Sequence, residues 1–354
     1  MNSFRPDDFL KAGKKYQEHT SERIQLSELH PENEKMKAAF SQFQQKPFPL
    51  DIGANEGDWI ALKLGLKPII REFVSYPYLD KLQKHCDKHM LQMEVLEASV
   101  GESRISGKFV TQQSKAQQRS KNFFVFMGSN QKDLQTLREI HTKMLQSGRK
   151  KWFQSARSHR QKIEDLHRKT GELLGYPACC IDAFFPCLED NRSLLQRLMG
   201  NSTSYHPLLN NLSLRMFHYI CWTPCRFDCP KSLHVAEKVD QHLQDVGTQH
   251  HRNIHRYLSM PRLYLDDRRQ ILFDGAKVTD NILQYSAAYS PCQFETSKTN
   301  IEFDWIFYAQ YIAKLNEGNR VQFNKKQIDI FRNEERIHRL KVKTRPLLVP
   351  FSQG

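Results

Sequence analysis

Long apolar runs are missing from this chain of 354 residues. No stretch approaches the ~20 apolar residues that a membrane-spanning helix needs, so no membrane partner is expected. The first residues, Met1-Asn2-Ser3-Phe4-Arg5-Pro6-Asp7-Asp8, lack the basic start and apolar run of a secretory signal. The expected compartment is the cytoplasm, where thiols stay reduced and disulfides are rare. Internal repeats and low-complexity segments are absent too, which argues against a solenoid or repeat array. Acidic residues are in deficit. Asp and Glu number 39 against 53 Lys and Arg, for a formal net charge of +14. A basic excess of that size favours an anionic partner, nucleic acid or another polyanion. Its densest run is Arg149 to Lys169, where Trp152 and Phe153 are placed to stack on bases. A solvated helix face explains the same run equally well.

The length implies two or three subdomains rather than one simple core. Periodicity divides the chain into a mixed α/β region over 1–130, a helical region over 131–260 and a β-rich region over 261–354. The expected fold class is therefore α+β. Helical spacing marks residues 1–46, Asp58 to Pro68, Tyr78 to Met93, Gln131 to Leu174, Lys231 to Tyr257 and Phe303 to Leu315. Strands are expected at Lys108 to Thr111 and Asn122 to Met127, where Phe123-Phe124-Val125-Phe126 is the strongest short apolar run. After Pro261 the texture changes to short β-like runs at Arg262 to Leu265, Gln270 to Phe273, Arg320 to Phe323, Gln327 to Phe331 and Ile337 to Val342.

Cysteine is not scarce. Six of the eight cysteines crowd into two groups: Cys179, Cys180 and Cys187, then Cys221, Cys225 and Cys229. Adjacent Cys179 and Cys180 are poor disulfide partners for each other. Pro177 and Pro230 are placed to start helices, which puts Cys179 and Cys180 in a first turn and Cys229 at an N-cap. Helix N-termini favour the thiolate, the form that binds metal. Two such groups brought together supply three or four ligands for an iron–sulfur cluster or a zinc ion. The spacings CC and C-x3-C-x3-C match neither a zinc ribbon nor the cluster motif of radical S-adenosylmethionine enzymes. No histidine falls inside either motif, which suits all-thiolate ligation and favours the cluster over zinc. Cys179, Cys180, Cys225 and Cys229 are the expected cofactor ligands, with Cys187 and Cys221 as further candidates. A thiol redox or nucleophile site, and plain burial of small apolar residues, stay open. Cys86 and Cys292 stand alone and read as packing residues.

The run Leu173-Leu174-Gly175-Tyr176-Pro177-x-Cys179-Cys180-x-x-x-Phe184, followed by Pro224-Cys225-x-Phe227-Asp228-Cys229-Pro230-x-Ser232, resembles an uncharacterised family of prokaryotic proteins, a domain of unknown function best known from archaea. Leu64-Gly65-Leu66-Lys67-Pro68 and Pro346-Leu347-Leu348-Val349-Pro350-Phe351 are similar to it as well, so the resemblance spans residues 55–351 and is sharp at the cysteines. It implies a shared cysteine site and brings no activity. It also implies a histidine three residues before Cys225, where this chain carries Trp222.

The leading expectation is thus a cysteine-ligated iron–sulfur or metal-binding cytoplasmic protein, an enzyme or accessory factor of unassigned substrate. One alternative is a nucleic-acid-binding protein with structural zinc. Another is an S-adenosylmethionine-dependent methyltransferase, suggested by Leu50-Asp51-Ile52-Gly53-Ala54-Asn55-Glu56-Gly57 with Glu72 placed as a ribose ligand. Against it, Pro47 and Pro49 leave almost no strand before the motif, and Pro68 is expected to spoil the next one. His251 and His255, four apart on a helix, can bind metal, but with no acidic neighbour in sequence they read as solvated surface residues.

Overall fold

The computed structural model describes residues 56–75, 78–98, 122–148, 157–185, 194–211, 217–265, 269–294, 311–342 and 345–351. Helices and antiparallel sheets share these residues, and the C-terminal part is strand-rich, so the fold class is α+β. The chain divides into two units. Among the described residues, one holds those from 56 to 258 and the other those from 259 to 351. The expected helices over 1–46 and the expected strand Lys108 to Thr111 lie outside the described residues.

The first unit is built on a three-stranded sheet. Its elements are α1 (Glu56–Lys63), β1 (Ile69–Ser75), α2 (Leu79–Lys88), β2 (Gln92–Ala98), β3 (Asn122–Gly128), α3 (Gln131–Gly148) and α4 (Arg157–Leu173). β3 is the central strand and runs antiparallel to β1 on one side and β2 on the other. Its apolar run has no polar alternation because both faces are covered. Phe126 points with Ile69 toward Leu134 and Leu137 of α3 and Leu174 beyond α4, with Phe124 packed alongside. Val125 and Met127 point the other way with Ile70, onto Cys86 of α2, where Trp59 and Leu62 of α1 also pack. Residues on both sides of position 130 belong to this one unit because α3 lies on β2 and β3.

Two expectations change here. Pro68 does not spoil a strand; it stands immediately before β1, an edge strand, where a missing N–H costs no ladder bond. The helix expected to reach Met93 stops at Lys88, and β2 begins at Gln92. Met90 takes the left-handed conformation with φ 55°, and the Leu91 N–H closes on the Cys86 carbonyl at 2.9 Å. That is a helix stop of the kind glycine usually makes, written here without glycine.

The same unit continues through α5 (Ala178–Phe184), α6 (Leu194–Asn201), a 3-10 turn (Pro207–Leu209), α7 (Pro230–Val246) and α8 (Thr248–Leu258). The single helix expected from Lys231 to Tyr257 is two, parted at Gly247, whose backbone is extended.

The second unit is antiparallel β-structure. One sheet orders β11 (Glu335–Lys341), β10 (Gln327–Arg332), β9 (Arg320–Phe323), β7 (Ile282–Gln284) and β6 (Lys277–Thr279); the other orders β12 (Leu347–Val349), β4 (Arg262–Tyr264), β5 (Gln270–Asp274) and β8 (Ala287–Tyr289). Alternate residues Ile328 and Ile330 of β10 turn inward with Val321, Leu283, Ile271 and Phe273, the period of a half-buried strand. Of the helix expected over Phe303 to Leu315, the described residues hold one short α-helix, α9 (Ala313–Leu315).

Candidate metal centre

The first cysteine motif is a helix stop followed at once by a helix start. Gly175 sits just past α4 with φ 75°. The Tyr176 N–H donates to the Gly171 carbonyl at 2.9 Å and the Gly175 N–H to the Glu172 carbonyl at 3.0 Å. This pair of bonds is the Schellman motif, and the left-handed φ it needs is why glycine stands there. Pro177 is then the N-cap of α5, one place earlier than its expected first-turn position, and Cys179 and Cys180 fall in the first turn. The second motif runs into α7 with Cys229 at the N-cap and Pro230 at N1, as the spacing predicts. The loop between Cys225 and Cys229 is pinned by Asp228, which accepts from the Thr203 backbone N–H at 3.0 Å, and by Phe227, which is fully buried.

These two motifs meet. The Cys179 and Cys180 sulfurs are 4.0 Å apart, and each lies 3.8 Å from Cys229 Sγ. Cys225 completes the group, with all four sulfurs within 4.8 Å of one another. All four are free thiols; Cys180 and Cys229 are buried, Cys179 and Cys225 partly exposed. The group is a tetracysteine arrangement able to hold a metal ion. Of the other two candidates, Cys187 lies outside the described residues. Cys221 is not in the group: its sulfur bonds Lys67 instead.

A short polar chain backs the thiols. Trp222 Nε1 donates to Ser232 Oγ at 3.0 Å, and Ser232 Oγ lies 3.2 Å from Cys180 Sγ. An indole N–H can only donate, so the hydroxyl keeps its own proton for Cys180. Backbone N–H groups of Cys225 and Ser232 point at Cys180 and Cys229. The four thiols hold their protons unequally. Hydrogen bonding from Cys180, helped by Ser232, draws the Cys229 thiol down to about 4, while burial and the neighbouring Cys229 push Cys225 up to about 12. Cys180, donating to Cys229 and buried, is pushed well up. Cys229 is therefore the first of the four to give up its proton, and the thiolate is the form that binds metal.

Trp222 also borders a second buried cluster. Lys67 follows the helix stop at Gly65, where the Leu66 N–H reaches the Ala61 carbonyl at 2.9 Å. The Lys67 ammonium is 3.0 Å from Asp58 Oδ1 and 2.7 Å from Cys221 Sγ, and lies 5.4 Å from the Tyr176 ring centre and 5.9 Å from that of Trp222. The side chains of Lys67 and Asp58 are 1% and 6% exposed. Burial opposes the ammonium, but Cys221 and Asp58 outweigh it and raise its pKa. Burial pushes Cys221 up to about 11 against the pull of Lys67. The cluster is thus a buried Lys67–Asp58 pair with the Cys221 sulfur against the same ammonium. No motif in the sequence pairs Lys67 with Cys221.

The other sequence candidates separate. Residues 149–156, with Trp152 and Phe153, lie outside the described residues. On α4, Lys162 and Lys169 are exposed, while Arg168 pairs with Asp182 and lies 5.1 Å from the Phe185 ring. That gives the nucleic-acid reading no support beyond charge. Positions 50–55 of the methyltransferase-like motif are also outside the described residues, and the sheet that follows is antiparallel, unlike the parallel sheet of cofactor-binding α/β folds. His251 and His255 do have an acidic partner: both Nε2 atoms reach Asp240 of α7. Among the described residues no helix is long and apolar enough to cross a membrane. No protein-family description, curated protein or solved structure matches this chain.

Proposed function

We propose that Cys179, Cys180, Cys225 and Cys229 hold a single zinc ion in a closed, structural site of a cytoplasmic protein. The observation that carries this is the sulfur spacing. A tetrahedral ion with metal–sulfur bonds of ~2.3 Å sets its ligands ~3.8 Å apart; the separations among Cys179, Cys180 and Cys229 are 3.8, 3.8 and 4.0 Å, and Cys225 Sγ lies within 4.8 Å of each. A cubane cluster hands each thiolate to a different iron and spreads the sulfurs wider than one coordination sphere. The geometry thus favours zinc over the iron–sulfur cluster that the absence of histidine first suggested. Four thiolates also fill the coordination sphere, the mark of a structural rather than a catalytic zinc. The site ties the first turn of α5 to the N-cap of α7, fifty residues later in the chain. The resemblance to the uncharacterised prokaryotic family agrees with this reading, since its two sharpest motifs supply all four ligands.

Anaerobic purification followed by elemental analysis, sulfide assay and absorption spectroscopy tests it. The expected protein is colourless, without labile sulfide, and binds a sulfur-ligated zinc equivalent that is lost in the Cys179→Ser/Cys229→Ser variant. Brown protein with iron and labile sulfide would restore the cluster and overturn zinc. Lone iron without sulfide would keep the geometry and change the metal.

A further inference from the structure

Asp240, His251 and His255 lie away from the cysteine motifs and play no part in the centre just described. Asp240 stands on α7, and the two histidines lie one turn apart on α8. Helical spacing of four puts both imidazoles on one face. The extended residue Gly247 between the helices lets that face turn toward Asp240. His255 Nε2 is 2.6 Å and His251 Nε2 is 2.9 Å from the same atom, Asp240 Oδ1. The phenol of fully buried Tyr219 donates to that oxygen too, at 2.5 Å.

Three groups on one carboxylate oxygen are one too many. Such an oxygen offers two lone-pair directions. A hydrogen-bond network built for its own sake would share Tyr219, His251 and His255 between the two oxygens. Here both Nε2 atoms converge on a single point, and the ligand atoms lie within 4.8 Å of one another. A cation held between these three ligand atoms lets each imidazole present a lone pair instead of competing to donate. Tyr219 is left as the outer partner that orients the carboxylate, the usual companion of a metal-bound side chain. The side chains of Asp240, His251 and His255 are 19%, 14% and 25% exposed. The group is therefore reachable from solvent, unlike the buried Lys67–Asp58 pair.

We propose that Asp240, His251 and His255 form a second metal site, for a divalent transition ion such as zinc. Two nitrogens and one carboxylate oxygen leave at least one coordination position for water or substrate. That is the ligand count of catalytic zinc and of non-haem iron(II) centres, not of a structural ion. The protein then carries two unlike sites, one all-sulfur and closed, the other nitrogen–oxygen and open.

The test is zinc titration of the metal-depleted full-length protein, followed by X-ray absorption at the zinc edge. Wild type should bind two equivalents. One gives a sulfur shell at ~2.3 Å, and the other adds a nitrogen–oxygen shell at ~2.0–2.1 Å. His255→Gln and Asp240→Asn should each lose the nitrogen–oxygen shell and bind one equivalent, with the sulfur shell unchanged. The wild-type spectrum decides the matter even where a variant folds poorly. Failure of the cysteine reading would remove the sulfur shell and leave the nitrogen–oxygen shell standing. A wild-type protein with no nitrogen–oxygen shell, or one whose second equivalent survives in both variants, overturns the proposal.

Discussion

Replacing Lys67 by methionine isolates one buried charge. Methionine keeps most of the unbranched stem, so the change removes the ammonium while leaving little cavity. Asp58 would then keep its carboxylate at 6% side-chain exposure with its partner at 3.0 Å gone. Breaking a buried ion pair by deleting one member costs about 3–5 kcal/mol, because the surviving charge is left without compensation. The lost contact with the Tyr176 and Trp222 rings adds roughly 1 kcal/mol or less, since at 5.4 and 5.9 Å the ammonium sits near the outer reach of a cation–π contact. Against a total stability of ~5–15 kcal/mol for a typical protein, the loss is severe. With a urea slope of ~2–3 kcal/mol per molar, the midpoint of the helical circular-dichroism signal should fall by roughly 1–2 M.

The double variant Lys67→Met/Asp58→Asn removes both charges and should recover a large part of that loss, giving a coupling energy of about 2 kcal/mol or more in a double-mutant cycle. Asp58→Asn alone has a further signature. It leaves Cys221 as the acidic group beside Lys67, and in the wild type Asp58 helps burial to hold that thiol up at about 11. The Cys221 pKa should therefore fall in Asp58→Asn and rise in Lys67→Met. A Lys67→Met midpoint within ~0.3 M of wild type, or strictly additive losses, would refute the account of this pair.

Acid should weaken the first unit through His141, which is 5% exposed, packs on Phe124 and Phe126, and is held down to about 3 by burial and then by Arg71. The folded state keeps this ring neutral while the unfolded chain takes up a proton below 6.5, so its stability contribution is full above that pH and is lost as the pH falls toward 3. At pH 5 the loss is about 2 kcal/mol, and His141→Phe should lose that much less than wild type between pH 7.5 and pH 5 in paired urea titrations; equal losses would sink the argument. Gly175→Ala should destabilise more than Gly65→Ala in thermal melts. Both positions have left-handed φ and pay ~1–2 kcal/mol for a side chain, but an added Cβ at Gly175 meets Pro68 Cδ at 2.7 Å while at Gly65 it meets nothing within 4 Å. The reverse order would contradict the packing described. Ser232→Ala strips the hydroxyl between Trp222 and Cys180; metal affinity measured by chelator competition should drop ~10–100-fold, and an unchanged affinity would remove Ser232 from the site.

The parts of this fold that were legible in sequence are those whose signal is local. Phe123 to Met127 announced a strand, and the short runs after Pro261 announced the β-rich unit. Gly175-Tyr176-Pro177 and Cys229-Pro230 are helix punctuation, and they placed three of the four thiols at helix starts. What stayed hidden depends on partners far apart in the chain. Nothing local ties Lys67 to Cys221, 154 residues away. His251 and His255 read as surface residues because their carboxylate lies on the preceding helix, 11 and 15 residues upstream. The α2–β2 junction was misread for a different reason. Leu82, Leu91 and Met93 all pack on the same sheet face, so the apolar spacing runs on past the helix, and Met90 makes the stop without glycine or proline to mark it. Metal type was not legible in the sequence, because four thiolates suit a single ion or a cluster alike.

Trp222 touches both of these side-chain clusters of the first unit. Trp222 places its ring 5.9 Å from the Lys67 ammonium and its N–H on Ser232, which in turn faces Cys180. Cys221, next in sequence, bonds Lys67 directly. The stretch from Cys221 to Cys229 is therefore held at one end by an ion pair and at the other by thiols that close on α5. An ion bound by four thiolates carries net negative charge, and the groups facing it are donors: the Ser232 hydroxyl and the backbone N–H groups of Cys225 and Ser232. A charge so compensated suits an ion that stays in place. Losing it would release both the α5–α7 link and, through Trp222, the wall of the Lys67 cluster. Metal removal and Lys67→Met should consequently weaken the same cooperative unit, and their combined effect should be smaller than the sum of the two. Full additivity would show instead that the clusters are energetically separate and that Trp222 only happens to touch both.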